Sequence, residues 1–247
     1  MPHNVPCSQL VVFGDEFTDD GVEFSVHSHG FERNSNGPYI NYAYSGARSD
    51  YNNMFFSDWS GILWQVEYHL MNRRTIPKDS VIILQAGGLA ELMILQQKNN
   101  DESMISVIDK INENIAHAVS GLINNVDNGN IIIMNLIDPY EAPGYATFTS
   151  VGNNHLDMSS VVSHINSKLW RLVTTEGHEN RQVRLFDLNV AIVDAMRGLN
   201  TNEPFTYQQS NMTSLKVFDY AYHNQWNPST LVHHKIAQKL VKFLEDL

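Results

Sequence analysis

The sequence predicts an α/β protein, a three-layer α/β/α sandwich with a mainly parallel central sheet. Short apolar runs alternate with longer amphipathic segments along all 247 residues. The runs at 81–84 and 131–133 are apolar at every position, which is typical of strands covered by helices on both faces. In such a sheet, ligands bind beyond the carboxyl ends of the strands, so the residues after each run are the first candidates for a site.

The individual elements follow from the apolar pattern. Strands are predicted over 10–13, 39–44, 81–85, 131–137 and 183–187. Helices are predicted over 60–71, 102–124, 158–174, 188–197 and 229–244, where apolar residues recur every three or four positions. Residues 22–38 are rich in Ser, His, Asn and Gly and are predicted to form a loop. We expect a single domain over 1–247, with a flexible leader at 1–8.

The composition excludes several classes of partner. The formal net charge is −11, so nucleic acid and anionic membranes, which require a basic surface, are not expected as partners. No apolar run is long enough to span a membrane. No signal-peptide pattern precedes the first strand, so we expect a cytoplasmic protein, or a secreted one if the sequence is a mature form. Cys7 is the only cysteine, which excludes an intrachain disulfide.

A metal or other cofactor is not expected. His27 and His29 lie near Asp19 and Asp20, but their spacing matches no established metal-binding pattern.

Four short blocks lie where predicted strands end or where the last helix begins. They read Gly-Asp-Glu at 14–16, Asn-Tyr-Ala-Tyr-Ser-Gly-Ala at 41–47, Gly-Gly-Leu-Ala at 87–90 and Asn-Gln-Trp-Asn-Pro-Ser at 224–229. Their order and spacing resemble those of the SGNH (GDSL) hydrolases, a family of lipases, esterases and acyltransferases. Within that family the sequence is most similar to the lecithinase/hemolysin-like lipases. The resemblance covers nearly the whole chain and implies the SGNH/flavodoxin-like form of the sandwich.

The resemblance also places the reactive groups of the family on this sequence. The serine nucleophile falls at Glu16, and the glycine whose N–H contributes to the oxyanion hole falls at Gly46. The second oxyanion donor, an Asn side chain in the family, falls at Leu89. The Asp and His of the catalytic triad fall at Asn224 and Asn227.

The residues at these positions cannot perform the family's reaction. A triad requires a hydroxyl, a base that accepts its proton and a group that orients the base. Glu16 has no hydroxyl, Asn227 has no basic nitrogen, and Leu89 cannot donate a hydrogen bond. The sequence therefore predicts that no catalytic residues remain, in other words a pseudoenzyme without serine-esterase activity.

Three functions remain open for such a protein. The first is binding of a small apolar or acyl ligand, or of a protein partner, through the residues of the blocks and their neighbours. The second is a different, non-hydrolytic reaction with acid–base chemistry from Asp15, Glu16 and His223. The third is a structural or assembly role, and a homo-oligomer is compatible with all three. The predicted binding residues are Asp15, Glu16, Gly46, Gly88, His223, Asn224, Trp226 and Asn227.

Some of these residues also have a purely structural interpretation. Glu16 suits the N-terminus of a helix, where free N–H groups stabilise a carboxylate. Asn227 followed by Pro228 is a favoured N-cap and N1 pair. Three tryptophans fall on helical patterns and are predicted to line the core or a groove: Trp59, Trp64 and Trp170.

The position of Glu16 gives a local structural expectation. The first strand should deliver Glu16 to the start of a helix, on the same edge of the sheet as Gly46 and Asn227. A carboxylate there needs hydrogen-bond donors. We therefore expect Glu16 to accept hydrogen bonds from backbone N–H groups such as that of Gly46, and from Asn224 or Asn227.

Overall fold

The central element of the structure is a parallel five-stranded sheet. The computed structural model describes residues 8–19, 39–72, 76–97, 104–126, 129–145, 157–180, 183–205 and 218–246. The sheet has the order β2-β1-β3-β4-β5, and every neighbouring pair is parallel. This is the flavodoxin-like order of doubly wound α/β proteins. The strands are β1 (Leu10–Phe13), β2 (Tyr39–Asn41), β3 (Val81–Gln85), β4 (Asn130–Met134) and β5 (Val183–Phe186).

Helices separate most of these strands along the chain. They are α1 (Ile62–Asn72), α2 (Leu89–Gln97), α3 (Met104–Ile123), α4 (Met158–Asn180), α5 (Leu188–Met196) and α6 (Thr230–Glu245). A short 3₁₀ helix spans Pro139–Glu141. The α/β fold with a parallel central sheet, predicted from the sequence, is confirmed.

The core lies around the two central strands. Leu84 in β3 and Ile131, Ile132 and Ile133 in β4 are fully buried. Complete burial of each such side chain contributes about 1.5–3 kcal/mol to folding. On one side of the sheet α1 and α3 pack together, and they contact β1 and β4 respectively. The buried stripe of α3 includes Ile111, which packs near Gly88.

Two predicted strands end three residues earlier in the structure. β2 ends at Asn41 because the Asn41 side chain accepts a hydrogen bond from the backbone N–H of Ala43 (2.9 Å) and turns the chain. β4 ends at Met134, and the next backbone groups bond instead to Asn166, whose side chain accepts from the N–H of Leu136 at 2.9 Å.

One helix was not predicted. α2 contains Leu89, Leu92, Met93 and Ile94, so that apolar residues occupy several sides of the helix. Such a run lacks the one-sided periodicity that identifies a surface helix. The predicted loop at 22–38 lies outside the described residues.

The chain divides into two compact units. The sheet unit comprises Pro6–Leu136 and His164–Phe186 and contains all five strands of the sheet. The second unit comprises Met1–Val5, Ile137–Ser163 and Asp187–Leu247 and contains α5 and α6. Within the second unit, Lys239 on α6 pairs with Asp194 on α5 at 2.7 Å. The expectation of a single domain stays a prediction.

None of the helices in the described part of the chain is long and apolar enough to cross a bilayer.

Candidate functional site

The turn after β1 is held by a buried glutamine of α1. The Gln65 side chain accepts a hydrogen bond from the N–H of Gly14 (2.9 Å) and donates one to the carbonyl of Gly14 (2.8 Å). The same amide also donates to the carbonyl of Ser60. A Cβ atom at position 14 would lie 2.0 Å from the hydroxyl of Thr18. A larger residue at position 14 would therefore force Thr18 and Gln85 to move, which favours glycine where β1 meets the turn.

Asp15 is a buried structural residue of this turn. Only 4% of its surface is exposed. Its carboxylate accepts hydrogen bonds from the Gln85 side chain (3.1 Å) and from the N–H of Phe17 (3.0 Å), while its own N–H donates to Gln85 (2.9 Å). Burial raises the pKa of Asp15 well above its usual value, and the nearby charge of Glu16 raises it further.

Glu16 is half-buried and contacts the second block. Its Oε2 atom accepts a hydrogen bond from the backbone N–H of Gly46 at 3.1 Å. The predicted hydrogen bond between these two residues is confirmed. Residues 15–19 form a single helical turn, closed by a bond from the N–H of Asp19 to the carbonyl of Asp15 (3.0 Å), and the described part of this segment ends there.

A second carboxylate from the same turn binds the neighbouring N–H group. Oδ2 of Asp19 accepts from the N–H of Ser45 at 3.1 Å. Two successive backbone donors, at positions 45 and 46, therefore both point at acidic side chains of the β1 turn. Carboxylates are strong acceptors for backbone N–H groups.

The loop that carries Gly46 is rigidly held. Gly46 has a φ of +74°, which favours glycine, and a Cβ atom there would lie 3.1 Å from the side-chain oxygen of Asn53. Asn53 donates from its side chain to the carbonyl of Ser45 (2.8 Å), and the N–H of Met54 donates to the carbonyl of Gly46 (2.7 Å). The direction of the Gly46 N–H is thus fixed by the fold.

The third block follows β3 at the neighbouring position in the sheet. Gly88 has a φ of +132°, and a Cβ atom there would lie 3.1 Å from Ile111 of α3. Leu89 begins α2 and is half-buried, and Ala90 is buried. The side chain at position 89, where the family resemblance implies an Asn, offers no hydrogen-bond donor.

A buried glutamate connects the second and third blocks. Glu91 of α2 accepts hydrogen bonds from both the N–H and the hydroxyl of Ser49, each at 2.6 Å. Ser49 in turn accepts from Asn114 of α3 at 2.9 Å. Burial raises the pKa of Glu91. Sequence reasoning missed this residue, although a single acid within the apolar run 89–95 was a signal.

The last block forms a tight turn in the second unit. The side-chain oxygen of Asn224 accepts from the N–H groups of Trp226 (2.8 Å) and Asn227 (2.6 Å). The N–H of His223 donates to the carbonyl of Asn227 at 3.0 Å. Trp226 packs against Gly144, where a Cβ atom would lie 2.5 Å from its ring.

The predicted capping role of Asn227 is wrong. The N-cap of α6 is Ser229, and the helix begins at Thr230. Pro228 lies in an isolated antiparallel bridge with Tyr222, and the N–H of Ser229 donates to the carbonyl of Ala221 (2.7 Å). These contacts hold residues 228–229 extended, so the helix cannot start earlier.

The predicted site residues therefore fall in two groups. The sheet unit brings Asp15, Glu16 and Gly46 together, with Gly88 after the adjacent strand. The second unit places His223, Asn224, Trp226 and Asn227 in one turn. The expected contact of Glu16 with Asn224 or Asn227 stays a prediction. Among the described residues there is no cluster of His, Cys, Asp or Glu suited to a metal ion, and His27 and His29 lie outside them.

Comparisons with known proteins support the fold. No protein-family model matches the sequence, and no curated protein matches it. A Lactobacillus plantarum protein of known structure is 16% identical, with a TM-score of 0.53 over 98% of this chain and 99% of its own. A carbohydrate esterase whose active site has catalytic and non-catalytic binding functions gives 16% identity and a TM-score of 0.53 over 98% of this chain and 70% of its own. A catalytic mutant of Axe2, an acetylxylan esterase from Geobacillus stearothermophilus, is 13% identical, with a TM-score of 0.54 over 96% of this chain and 94% of its own.

These similarities show that the chain shares the α/β fold of these proteins, which confirms the fold class predicted from the sequence, while membership of the SGNH family stays a prediction. They do not reach the level of a particular branch, and the lecithinase/hemolysin-like assignment stays a prediction.

Proposed function

We propose that this chain is a catalytically inactive SGNH hydrolase-like protein that acts by binding a small apolar or acyl ligand or a protein partner. The observation that carries the proposal is the hydrogen bond from the Gly46 N–H to the Glu16 carboxylate at 3.1 Å. By resemblance, this N–H is the retained half of the oxyanion hole and position 16 is that of the nucleophile.

The contact opposes catalysis in two ways. An oxyanion donor has to be available to the oxygen on which negative charge develops in the transition state. Here the donor is already engaged by Glu16, so a substrate carbonyl would have to displace the carboxylate. An oxyanion formed beside the displaced carboxylate would then be repelled by it, since like charges in a site of low dielectric interact strongly.

The remaining blocks support the same proposal. Leu89 supplies no second oxyanion donor. In the second unit, the side-chain oxygen of Asn224 is used by two backbone N–H groups of its own turn. The fold itself is compatible with binding, since one structural neighbour is described as having non-catalytic binding functions at its active site.

The test is an assay on nitrophenyl acetate, butyrate and octanoate and on phospholipid. We expect the wild-type protein and Glu16→Ala to give the same rate as buffer. Turnover by the wild-type protein well above that of Glu16→Ala would contradict the proposal.

A second function, non-hydrolytic acid–base chemistry, rests on one observation. The pKa of Asp15 is raised by burial and by Glu16, and paired carboxyl groups with separated pKa values are typical of acid–base sites. Asp15 is nevertheless only 4% exposed, and both its oxygens accept internal hydrogen bonds. These contacts explain Asp15 as a structural residue, so binding is the better supported function.

A further inference from the structure

A row of aromatic side chains crosses the surface of the sheet unit close to Gly46. We call it the aromatic strip, and it consists of Tyr44, Phe55, Phe56, Trp59, Trp64 and Tyr68. Trp59 is at its centre, with ring-centroid distances of 4.9 Å to Tyr44, 5.5 Å to Phe56 and 6.0 Å to Trp64. Trp64 and Tyr68, one turn apart on α1, stack with centroids 4.9 Å apart and planes at 9°.

Much of the strip faces solvent. The exposed fractions are 69% for Phe55, 58% for Phe56, 38% for Trp59 and 47% for Tyr68. Trp59 was expected to line the core or a groove; its exposure excludes the core, and the groove stays a prediction. Trp59 lies in the loop before α1. Large apolar side chains exposed in a continuous row are typical of interaction surfaces.

The loop that presents the strip is rigid. Asp58 and Ser60, on either side of Trp59, have φ values of 54° and 58°, a conformation that residues other than glycine rarely adopt. At position 61, a Cβ atom would lie 2.2 Å from the carbonyl oxygen of Asp50, so the loop closes tightly upon itself. A surface that is already ordered loses less entropy when it binds.

Two carboxylates directly precede residues of the strip in the sequence. Asp58 precedes Trp59 and is exposed, whereas Glu67 precedes Tyr68 and accepts a hydrogen bond from the hydroxyl of Tyr51. Within the described segment 39–72 the only Lys or Arg is Arg48, which pairs with Asp50 at 3.1 Å. The amide of Asn52 is used inside the loop, since its oxygen accepts from the N–H of Asp58 (2.9 Å) and its nitrogen donates to Asp50 (2.9 Å). Within this described segment the exposed charged residue is therefore Asp58, which is negative.

We propose that the aromatic strip is a docking surface for an arginine-bearing segment of a partner protein. The inference rests on the proposed function in binding and names the chemistry of the partner. A guanidinium group stacks on aromatic rings and at the same time donates to carboxylates, so it matches both the rings and the exposed carboxylate of Asp58. A polyanion or an anionic membrane would be repelled by the net charge of −11, and a neutral ligand would make no use of the charge of Asp58.

The test is calorimetric titration of the full chain with a short peptide that alternates glycine and arginine. The matched probe replaces each arginine with citrulline, which is nearly the same in shape but is neutral. We expect the arginine peptide to bind about tenfold more tightly than the citrulline peptide, and its affinity to fall as salt is added.

Variants assign the binding to the strip. Trp59→Ala should weaken binding of the arginine peptide about tenfold, and Asp58→Asn a few-fold. Trp170→Ala is the matched control, because Trp170 is an exposed tryptophan on α4 outside the strip, and it should leave the affinity unchanged. Circular dichroism checks the fold of each variant, and the conservative variant Asp58→Asn decides the matter if Trp59→Ala does not fold.

Several results would overturn the inference. They are the absence of binding by the arginine peptide, equal binding of the citrulline peptide, and equal effects of Trp59→Ala and Trp170→Ala. Binding of neutral oligosaccharides or of phosphatidylcholine vesicles that is lost in Trp59→Ala, with no binding of the arginine peptide, would overturn it in favour of those ligands.

An ester assay on the same sample separates the two proposals. If the protein hydrolyses no ester and does not bind the arginine peptide, only the docking surface is contradicted. If it hydrolyses esters, the proposed function is contradicted.

Discussion

Glu91 and Ser49 join two of the family-like blocks through a buried pair of hydrogen bonds. The carboxylate accepts from the N–H and from the hydroxyl of Ser49, each at 2.6 Å. Arg48 is 4.0 Å away and gives only weak compensation for the charge. Burial consequently dominates and raises the pKa of Glu91. The loop that carries Gly46 is thus tied to α2 by an acid that is costly to ionise.

Our first prediction concerns pH and Glu91. Because its folded-state pKa is raised, the neutral form is favoured in the folded protein. The resulting stabilisation is fully present below the unfolded value near 4.5 and is lost as pH rises through the folded pKa. Glu91→Gln, which cannot ionise, should therefore gain stability relative to the wild-type protein as pH rises above about 4.5. Urea unfolding of both proteins across a pH series measures the difference.

Glu91→Ala is the matched control. It leaves the N–H and hydroxyl of Ser49 without their acceptor and opens a cavity, so it should cost about 2–4 kcal/mol at neutral pH. Equal stability curves for the wild-type protein and Glu91→Gln at every pH would show that the charge on Glu91 carries no penalty.

A second prediction separates backbone strain from crowding at Gly46. Gly46 and Gly198 have similar φ values, +74° and +82°, but a Cβ atom at 198 would meet nothing within 4 Å. Gly198→Ala should therefore cost about 1–2 kcal/mol, the penalty of a left-handed conformation alone. Gly46→Ala should cost more, since the new methyl group also meets Asn53, Met54 and Phe55 at 3.1–3.2 Å. Urea unfolding measures both, and a smaller loss at Gly46 than at Gly198 would contradict the prediction.

A third prediction concerns the glutamine that holds the β1 turn. Gln65→Leu keeps most of the side-chain volume but removes the partner of the Gly14 N–H and of the carbonyls of Gly14 and Ser60. With those groups left buried, the variant should lose about 2–4 kcal/mol of stability in thermal unfolding. Gln238→Leu, at an exposed position of α6, is a control of the same chemistry, and we expect it to change stability by about 0.5 kcal/mol or less. Similar losses in both variants would argue against the role of Gln65.

The sequence was sufficient to predict the parallel sheet because its strands are uniformly apolar. Ile131, Ile132 and Ile133 form such a run, and the structure buries all three completely. The contact between Glu16 and Gly46 was also predictable, since both residues follow neighbouring parallel strands and their turns meet at one edge of the sheet.

Other features depend on contacts between residues distant in the sequence. The N-cap role expected for Asn227 is excluded by a bridge between Tyr222 and Pro228, and no local pattern indicated that pairing. Trp59 was assigned to a helical pattern together with Trp64, but the left-handed conformation of Asp58 and Ser60 places it in a loop. Capping and backbone strain of this kind are decided by the packed fold rather than by local propensity.

The last prediction asks whether the backbone of the site is still catalytic in shape. The variant combines Glu16→Ser, Leu89→Asn, Asn224→Asp and Asn227→His, and so places on this chain every reactive group that the resemblance implies. Serine at position 16 would also release the Gly46 N–H, whose direction is fixed by the Asn53 and Met54 contacts. Asn224→Asp keeps the oxygen that accepts from the N–H groups of Trp226 and Asn227, so the turn should survive.

We expect the folded quadruple variant to react with a fluorophosphonate probe and to hydrolyse nitrophenyl acetate at least about tenfold faster than Glu16→Ala, because nucleophile, base and oxyanion donors act as a unit. Mass spectrometry locates the label on position 16. The single variant Glu16→Ser is the matched control and should remain near background, since it has a hydroxyl without a base to activate it. A quadruple variant that folds but takes up no label would mean that the loops no longer bring these four positions together. The loss of activity would then lie in the backbone as well as in the side chains.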